Sequence, residues 1–226
     1  ANVLGLGEVM NYPGVLAGDA ALLEKLLAAG EKRIDGHCPG LRGKDLSAYI
    51  LAGIKSDHEC VDIDEAREKL RLGMHLMVRE GSTAKNLQAL APLVRELSHV
   101  RMSLVTDDKH PVELAEEGHM DALLRRAVAC GIDPVRAIQM VTINPAKYFQ
   151  TSRIGGIAPR YWADLVVLED LRDFRVRQVW HRGTLVAEAG KLVREFTAPS
   201  TSGMRASMNV NWANWPGLGV RAEGRR

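Results

Sequence analysis

The sequence predicts an α/β fold: the second half of a parallel, TIM-like (β/α)8 barrel, followed by part of a small β-sandwich domain. From residue 1 to about 150, short apolar runs alternate with amphipathic segments of helical length. This alternation is typical of βαβ units around a parallel sheet. Five strand–helix steps can be counted, whereas a closed barrel needs eight. From residue 151 onward, short strands are separated by glycine-containing turns instead.

The elements of the first region follow from apolar runs and helical periodicity. Strands are predicted at residues 3–7, 32–35, 54–56, 74–78 and 100–106. Helices are predicted at residues 20–30, 44–52, 63–73, 84–97, 120–130 and 134–140. Gly30, Gly53 and Gly73 end three of these helices, and Asp62 is placed to cap the start of the third.

The second region has the pattern of β-hairpins. The segments ADLVVLE and RVRQVWHRGTLVAEAGKLV read as strands joined by turns at Arg182–Gly183 and Gly190. The last stretch is rich in Ser, Asn, Pro and Gly. We therefore expect barrel residues at 1–150, the β-sandwich part at 151–195, and at 196–226 a linker and the start of a truncated C-terminal region.

Composition narrows the classes of partner. The net charge is +2 and 26% of residues are charged, without the clustered basic excess of nucleic-acid or membrane-surface proteins. Three cysteines without CxxC spacing do not form a disulfide framework, which favours a reducing cytoplasm. No apolar run approaches the length of a membrane span. We expect a cytoplasmic protein that acts on a small molecule, with no nucleic-acid or membrane partner.

Four ionisable residues share one position. Glu8, His37, His58 and Asp107 each follow a predicted strand, and a loop follows each of them. In a parallel barrel the C-terminal strand ends form the face that carries the active site. One such histidine alone is more often structural, but two histidines and two carboxylates at the ends of four of the five strands predict a hydrolytic metal centre. Imidazole and carboxylate ligands suit zinc, iron or manganese, which lower the pKa of a bound water.

Several longer motifs identify a family. The chain resembles adenine deaminases of the amidohydrolase superfamily from residue 2 to about 195, in GLGEVMNYPGVL, DGHCPGLRGKDLSAYILAGIKSDHE, REGSTAKNL, TDDKHP, EEGHMDALLRRAV, IQMVTINPAKYF and IAPRYWADLVVLEDL. The NPA segment and ADLVVL are shared by many amidohydrolases. The blocks GEVMNYPGV, HCPGLxGKxLxAY and SDHE point to the adenine-specific branch.

The resemblance implies an activity and a ligand set. It places the bridging carboxylate on Glu8, the barrel histidines on His37 and His58, and the last-strand aspartate on Asp107. It implies hydrolysis of adenine to hypoxanthine and ammonia in purine salvage, with Asp107 carrying the proton of the attacking water. The implied cofactor is a divalent metal pair, manganese or iron, with zinc also found in the family. We also expect a homo-oligomer.

Further candidates surround these ligands. Glu59, next to His58, is a candidate proton shuttle or substrate contact, although a carboxylate also favours a helix start. Arg79, Glu80 and Ser82 follow a predicted strand on the same face and are candidates for reading the purine edge. A role in capping the following helix explains the REGS segment at residues 79–82 equally well.

Asp108 and His110 lie beside Asp107 in the sequence. We expect these two side chains to orient the Asp107 carboxylate rather than to touch the substrate.

One departure from the superfamily leaves other readings open. The first barrel strand of the superfamily supplies an HxH pair, and this sequence contains no HxH. We therefore expect an internal fragment that builds half of a metal site. Such a half-barrel would be inactive and poorly soluble alone, because its sheet edge is unpaired. The alternatives are a cyclic amidase or deacetylase of the same superfamily, or a catalytically silent half-barrel. Cyclic amidases often carry a carboxylated lysine where Glu8 stands.

Overall fold

The computed structural model describes residues 3–97, 99–195, 197, 200, 210–214, 217 and 219. Its contacts divide the chain into two compact units, Ala1–Val193 and Arg194–Arg226. Both the predicted barrel region and the hairpin region lie in the first unit. The domain boundaries expected from the sequence remain predictions.

Five parallel strands form the first part of this unit. They are β1 (Gly5–Val9), β2 (Arg33–Gly36), β3 (Ser56–Asp57), β4 (His75–Arg79) and β5 (Met102–Val105). Strand β1 pairs with β2, and β3, β4 and β5 form a continuous parallel ladder. The Lys55 amide donates to the Ile34 carbonyl at 3.0 Å and links β2 to β3. The strands therefore lie side by side in chain order, as in consecutive strands of a barrel.

Helices follow the strands as expected. They are α1 (Tyr12–Ala17), α2 (Ala20–Ala29), α3 (Gly43–Leu51), α4 (Ile63–Arg71), α5 (Leu87–Glu96), α6 (Pro111–Glu116), α7 (Met120–Ala129), α8 (Pro134–Val141) and α9 (Ile143–Tyr148). Each predicted helix is confirmed, and α4 starts at the expected cap, because the Asp62 carboxylate accepts from the Glu65 amide.

Three observed helices, α1, α6 and α9, lie outside the helix ranges predicted above. The prolines of α1 and α6 fall in the loops expected after Glu8 and Asp107, but proline is well tolerated in the first helical turn, where its missing N–H is not needed. In α1 the Asn11 side chain accepts from the Gly14 amide at 3.0 Å. In α6 His110 takes the same capping position before Pro111.

The end of β1 differs from the expected one in a way that matters for Glu8. The predicted strand ended at Gly7, but β1 continues to Val9 and includes Glu8. Its register with β2 shifts between Leu6 and Val9. An extra residue of this kind is a β-bulge, which turns a side chain away from its regular direction.

The close approach of β2 and β3 requires glycine just before His37. A Cβ atom on Gly36 would lie 2.2 Å from the Ser56 carbonyl oxygen and 2.6 Å from a methyl carbon of Ile54. Any side chain here would push the two strands apart, and with them the residues that follow each strand.

Two clusters of buried side chains hold the strands and helices together. One lies around β1, β2 and α3 and includes Ile34, Leu46 and Tyr49. The other lies around β4, β5, α5, α7 and α8 and contains Leu93 and Phe174. Because Phe174 comes from the hairpin region, that region packs on the barrel part through the same core.

The hairpin region forms a four-stranded antiparallel sheet, as its turn signals predicted. Its strands are β6 (Leu165–Leu168), β7 (Val176–His181), β8 (Thr184–Glu188) and β9 (Lys191–Leu192). Arg182 and Gly183 have φ values of 47° and 77°. Two consecutive positive φ angles are the geometry of the two-residue turn that matches strand twist, so this predicted hairpin is confirmed.

Two expectations extend beyond this sheet. Among the described residues of 151–195 there is one sheet, so the second layer of a sandwich remains a prediction. The predicted linker at 196–226 lies largely outside the described residues, apart from a short 3-10 helix at Trp212–Asn214. None of the described helices combines the length and the apolar character that crossing a bilayer requires.

His75, at the start of β4, gives the fold a pH-dependent stability. Its ring stacks on Tyr148 at 4.5 Å and a ring nitrogen lies 2.7 Å from the Ser103 hydroxyl. Burial, and then the charges of Arg33 and Arg101, lower its pKa from 6.5 to about 4. Unfolding restores the ordinary pKa, so between these two values the unfolded chain binds more protons than the folded one.

We expect the free energy of unfolding to fall by on the order of 3 kcal/mol as the pH is lowered from about 6.5 to 4 because of this residue. Urea titrations across this window check it, with His75→Gln as the variant that cannot titrate. The difference between wild type and variant should shrink with falling pH. A constant difference would contradict the assignment, and His181→Gln, on the surface, is the control.

Candidate metal centre

The strand ends bring the predicted ligands to one place. Glu8 lies in the bulged end of β1, His37 follows β2 directly, and His58 follows β3 directly. Asp107 lies two residues beyond the end of β5. Parallel strands that run in chain order place all four at the same edge of the sheet, which is the edge that carries active sites in barrels.

Three of these side chains form a tight triangle. The Glu8 Oε2 atom lies 2.9 Å from His58 Nε2 and 3.3 Å from His37 Nδ1. The two histidine nitrogens lie 3.3 Å apart. The exposed side-chain fraction falls from 42% for Glu8 to 20% for His37 and 10% for His58. The site is therefore open on the Glu8 side and closed behind the imidazoles.

The dimensions of the triangle fit a divalent ion. Ligand atoms at roughly 2.0–2.1 Å from an ion stand about 3.3 Å apart in tetrahedral and about 2.9 Å apart in octahedral geometry. The edges of the triangle, 2.9 and 3.3 Å, lie in this range. Two ring nitrogens and one carboxylate oxygen that face a common point are also the donor set that zinc, iron and manganese accept.

A second layer of charge borders the triangle. Glu59 Oε1 lies 3.5 Å from His37 Nδ1 and 3.5 Å from His58 Nε2. Asp107 Oδ1 lies 3.8 Å from the same nitrogen of His58. Arg79 donates two hydrogen bonds to Glu59, at 2.5 and 2.9 Å, and one to Asp107 at 3.4 Å. The guanidinium thus lies between the two carboxylates that border the histidine pair.

The formal charges of the cluster favour a divalent cation. The carboxylates of Glu8, Glu59 and Asp107 carry three negative charges and Arg79 carries one positive charge. With both imidazoles neutral, the sum is −2, which one divalent ion balances. Proteins keep such partly buried charges when the charges are paired or bound to a metal.

Two local features show that Asp107 and Arg79 are held in special positions. Asp107 has φ of 52°, in the left-handed region, which aspartate tolerates better than most residues. The Nε atom of Arg79 is buried without a hydrogen-bond partner among the described residues. Such departures are frequent where a side chain is aimed at a substrate.

Tyr49 ties the strand that carries Glu8 to the start of the His37 loop. Its fully buried hydroxyl donates to the Val9 carbonyl at 2.8 Å and accepts from the His37 amide at 3.0 Å. Burial raises the pKa of Tyr49, so it remains a neutral donor and acceptor. The relative position of Glu8 and His37 is therefore fixed by one side chain from α3.

Two of the residues predicted to read the purine make contacts with neighbouring protein groups, and their role toward a substrate stays a prediction. Glu80 accepts from the Leu87 amide at 3.3 Å and pairs with Arg126 at 3.4 Å. The Ser82 hydroxyl donates to Glu113 at 2.5 Å. The structure therefore brings Arg79 to the ligand cluster, and it shows Glu80 and Ser82 holding the loops around α5 and α6.

The two residues expected to support Asp107 lie on the same loop. The Asp108 carbonyl accepts from the Ser82 amide at 2.7 Å. His110 receives a hydrogen bond from the Val112 amide at its ring nitrogen and caps α6. Both fix the loop that carries Asp107 rather than contact the Asp107 carboxylate directly.

The sequence interpretation missed a group of residues behind the histidines. Asp57, Glu65 and Lys69 are buried and joined by ion pairs of 3.0 and 2.6 Å. Burial alone would lower the pKa of Lys69, but attraction to Asp57 and the hydrogen bond to Glu65 outweigh burial and raise it. The Glu65–Lys69 spacing is also that of an ordinary surface pair on a helix. The signal for this group in the sequence was the position of Asp57, directly before His58.

An α/β fold with a histidine–carboxylate cluster at parallel strand ends is the arrangement found in metal-dependent hydrolases of the barrel type. The profile described as "Amidohydrolase family" matches residues 2–186. This chain belongs to the amidohydrolase family.

Curated relatives share extensive sequence with this chain. An adenine deaminase of Dehalococcoides mccartyi (strain ATCC BAA-2266 / KCTC 15142 / 195) is 48% identical over 209 residues, which is 92% of this chain and 37% of that protein. One from Kosmotoga olearia is 50% identical over 84% of this chain and 33% of its own length. Adenine deaminase 2 of Carboxydothermus hydrogenoformans is 45% identical over 99% and 39%. The chain thus spans between 33% and 39% of these relatives.

Solved structures show the same fold at low identity. A beta-aspartyl dipeptidase from Fervidobacterium islandicum AW-1 superposes with a TM-score of 0.60 and 14% identity, covering 81% of this chain and 54% of that one. An N-acetyl-D-glucosamine-6-phosphate deacetylase from Mycobacterium smegmatis gives 0.59 and 22%, covering 77% and 52%. The likeness concerns the fold alone.

Proposed function

We propose that the protein containing this chain hydrolyses adenine to hypoxanthine and ammonia, as a step of purine salvage. The observation that carries the proposal is the meeting of Glu8, His37 and His58 within hydrogen-bond distance, with Glu59 and Asp107 beside them. The three adenine deaminases described above match 84–99% of this chain at 45–50% identity. Those relatives support adenine over other substrates.

The cofactor we propose is a pair of divalent ions, manganese or iron, with zinc as a third option. Glu8 would contribute its two carboxylate oxygens to holding the ions, and His37 and His58 would contribute one nitrogen each. A bound divalent ion lowers the pKa of water and polarises the bond under attack. The triangle and the net charge of −2 directly support the binding of one ion. The binding of a second ion is proposed.

Asp107 is proposed as the base. Hydrolysis forms a bond from water oxygen to the amino-bearing ring carbon and breaks the bond from that carbon to nitrogen. Asp107 accepts one proton of the water and delivers it to the departing amino group, which leaves as ammonia. Its position beyond β5, 3.8 Å from His58 and with 29% of its side chain exposed, supports this role because the carboxylate faces both the site and solvent.

Glu59 is proposed to carry the second proton. The product gains a hydrogen on the ring nitrogen next to the reacting carbon, so the second water proton has to travel there. Glu59 lies equally close to both histidines, and Arg79 holds both of its oxygens. A carboxylate that is oriented by two hydrogen bonds is well placed for proton transfer. Arg79, whose Nε is free of protein partners among the described residues, is the proposed contact to the purine, with Glu80 and Ser82 holding the surrounding loops.

The remaining parts of the proposal concern assembly and location. We propose a homo-oligomer in the cytoplasm, acting on the small molecule alone without nucleic acid or membrane. A cyclic amidase is the competing activity within the family. Glu8 argues against a cyclic amidase, because such enzymes typically have a carboxylated lysine at this position. Glutamate can bind a metal without modification.

Substrate comparison tests this proposal. We expect the full-length gene product, loaded with Mn²⁺, to release ammonia and hypoxanthine from adenine in equal amounts and to leave hydantoin intact. Hydrolysis of hydantoin without ammonia release from adenine would replace the proposal with the cyclic-amidase reading. Absence of both activities in a metal-loaded protein would support the catalytically silent reading.

A further inference from the structure

A buried ionic network lies directly behind the metal centre. It consists of Asp57 at the end of β3 and of Glu65 and Lys69, one turn apart on α4. The three side chains are at most 1% exposed. Buried charges of this kind are uncommon and call for an explanation beyond packing.

Lys69 contacts both histidine loops at once. Its ammonium donates to the carbonyl of Cys38, the residue after His37, at 2.7 Å. It also donates to Asp57, the residue before His58, at 3.0 Å. The third hydrogen bond goes to Glu65 at 2.6 Å and completes the donor capacity of the ammonium.

Asp57 connects the same loops from the other side. One carboxylate oxygen accepts from the Cys38 amide at 2.8 Å. The other accepts from the Glu59 amide at 3.1 Å and from the Cys60 thiol at 3.2 Å. The Cys38 amide and carbonyl, which follow His37, and the Glu59 amide, which follows His58, are therefore held by this network.

The network is not a second metal site. Asp57, Cys60 and Glu65 have the spacing of a ligand group. The Lys69 ammonium already lies among them and contacts both carboxylates. The cationic position of this group is therefore taken by a side chain of the protein itself.

We propose that Lys69 and Asp57 are positioning residues of the metal centre, which set the distance and orientation of His37 relative to His58. The inference rests on the metal centre of the proposed function and does not depend on adenine as the substrate. Asp57 accepts from the backbone amides that follow both histidines, and Lys69 joins the Cys38 carbonyl to Asp57. A shift of either loop would therefore break hydrogen bonds in a space from which water is excluded.

A contribution to stability alone explains this network less well than a positioning role does. Buried ion pairs are often matched or exceeded in stability by apolar residues of the same volume, because desolvation opposes the attraction between the charges. An apolar trio, however, could not bind the Cys38 and Glu59 backbone groups. The net formal charge of −1 on the network also adds to the attraction for a cation on the other side of the histidines.

Cobalt binding by the full-length gene product tests the inference. Co²⁺ titration followed by visible absorption reports both affinity and coordination geometry. We expect Lys69→Met to weaken Co²⁺ binding by about 10–100-fold, the effect typical of groups that orient metal ligands. The intensity and position of the absorption bands should change as well, since the histidine pair loses its fixed geometry.

Two further variants separate positioning from general stability. Leu93→Ala removes a fully buried side chain on α5, which has no hydrogen bond to the network within the described part of the chain, and is expected to destabilise the fold without altering the cobalt spectrum. Asp57→Asn keeps the shape of the side chain and leaves Lys69 paired with Glu65. It is expected to weaken Co²⁺ binding in the same direction, and it serves if Lys69→Met does not fold.

The outcomes are distinct. Unchanged affinity and spectrum in folded Lys69→Met and Asp57→Asn overturn the inference while the metal centre stands. Equal losses in Leu93→Ala would also overturn it, because they would show a general effect of stability. A wild-type protein that binds no Co²⁺ overturns the metal centre and the inference together, whereas binding without adenine turnover leaves the inference intact and contradicts only the substrate.

Discussion

Replacing Asp107 by asparagine is expected to lower kcat on adenine by about 10²–10⁴-fold, the range usual for loss of an acid–base group. Asparagine has almost the same shape and also tolerates the left-handed backbone of this position, where φ is 52°. It cannot accept the proton of the attacking water. Steady-state kinetics of ammonia release by the manganese-loaded full-length gene product measure the effect.

The comparison needs a control for charge removal and one for metal content. Asp45→Asn changes an exposed aspartate on α3 and should leave kcat within about twofold of wild type, as for surface changes away from a site. Metal analysis of each preparation separates lost catalysis from lost metal. A kcat for metal-replete Asp107→Asn within threefold of wild type would remove Asp107 from the proposed mechanism.

Replacing His58 by asparagine is expected to weaken divalent metal binding by more than about 100-fold, beyond the effect of residues that only orient ligands. His58 is the most buried corner of the triangle, 2.9 Å from Glu8 and 3.3 Å from His37. Its loss leaves only those two donors of the triangle. Calorimetric titration with Mn²⁺ gives the affinity of each protein directly.

Thermal unfolding gives an independent readout of the same loss. A ligand present at 100 times its Kd adds about 2.7 kcal/mol to the free energy of unfolding, so Mn²⁺ should raise the Tm of wild type. The Tm of His58→Asn should not respond. His181→Asn, on an exposed histidine paired with Asp164, is the matched control and should respond as wild type does. An equal Mn²⁺ response in His58→Asn would contradict its assignment as a ligand.

Much of the fold could be predicted because its signals are local. Helical periodicity determines α7, and together with the glycine and aspartate signals it determines α2, α3 and α4. The Arg182–Gly183 dipeptide determines the hairpin between β7 and β8. The boundary of β1 was wrong because a bulge depends on the register with β2, which the sequence of β1 does not contain.

The site could be predicted in part for a comparable reason. Glu8, His37, His58 and Asp107 were chosen by one positional rule, and the structure brings the first three into contact with one another and Asp107 to their border. The rule says where a residue stands along its strand but not in which direction its side chain extends. Glu80 and Ser82 satisfied the same rule, and their side chains contact Glu113 and the Leu87 amide outside the ligand triangle.

The sequence by itself determined the order of strands and helices, the hairpins and the list of candidate ligands, because these depend on residues that are near one another in the chain. Only the tertiary structure decided that the polar helix α4 directs Glu65 and Lys69 inward, beneath the two histidines. A charged pair one helical turn apart looks the same on a solvated and on a buried face. Which face is buried is decided by the strands that pack against it, and those come from other parts of the chain.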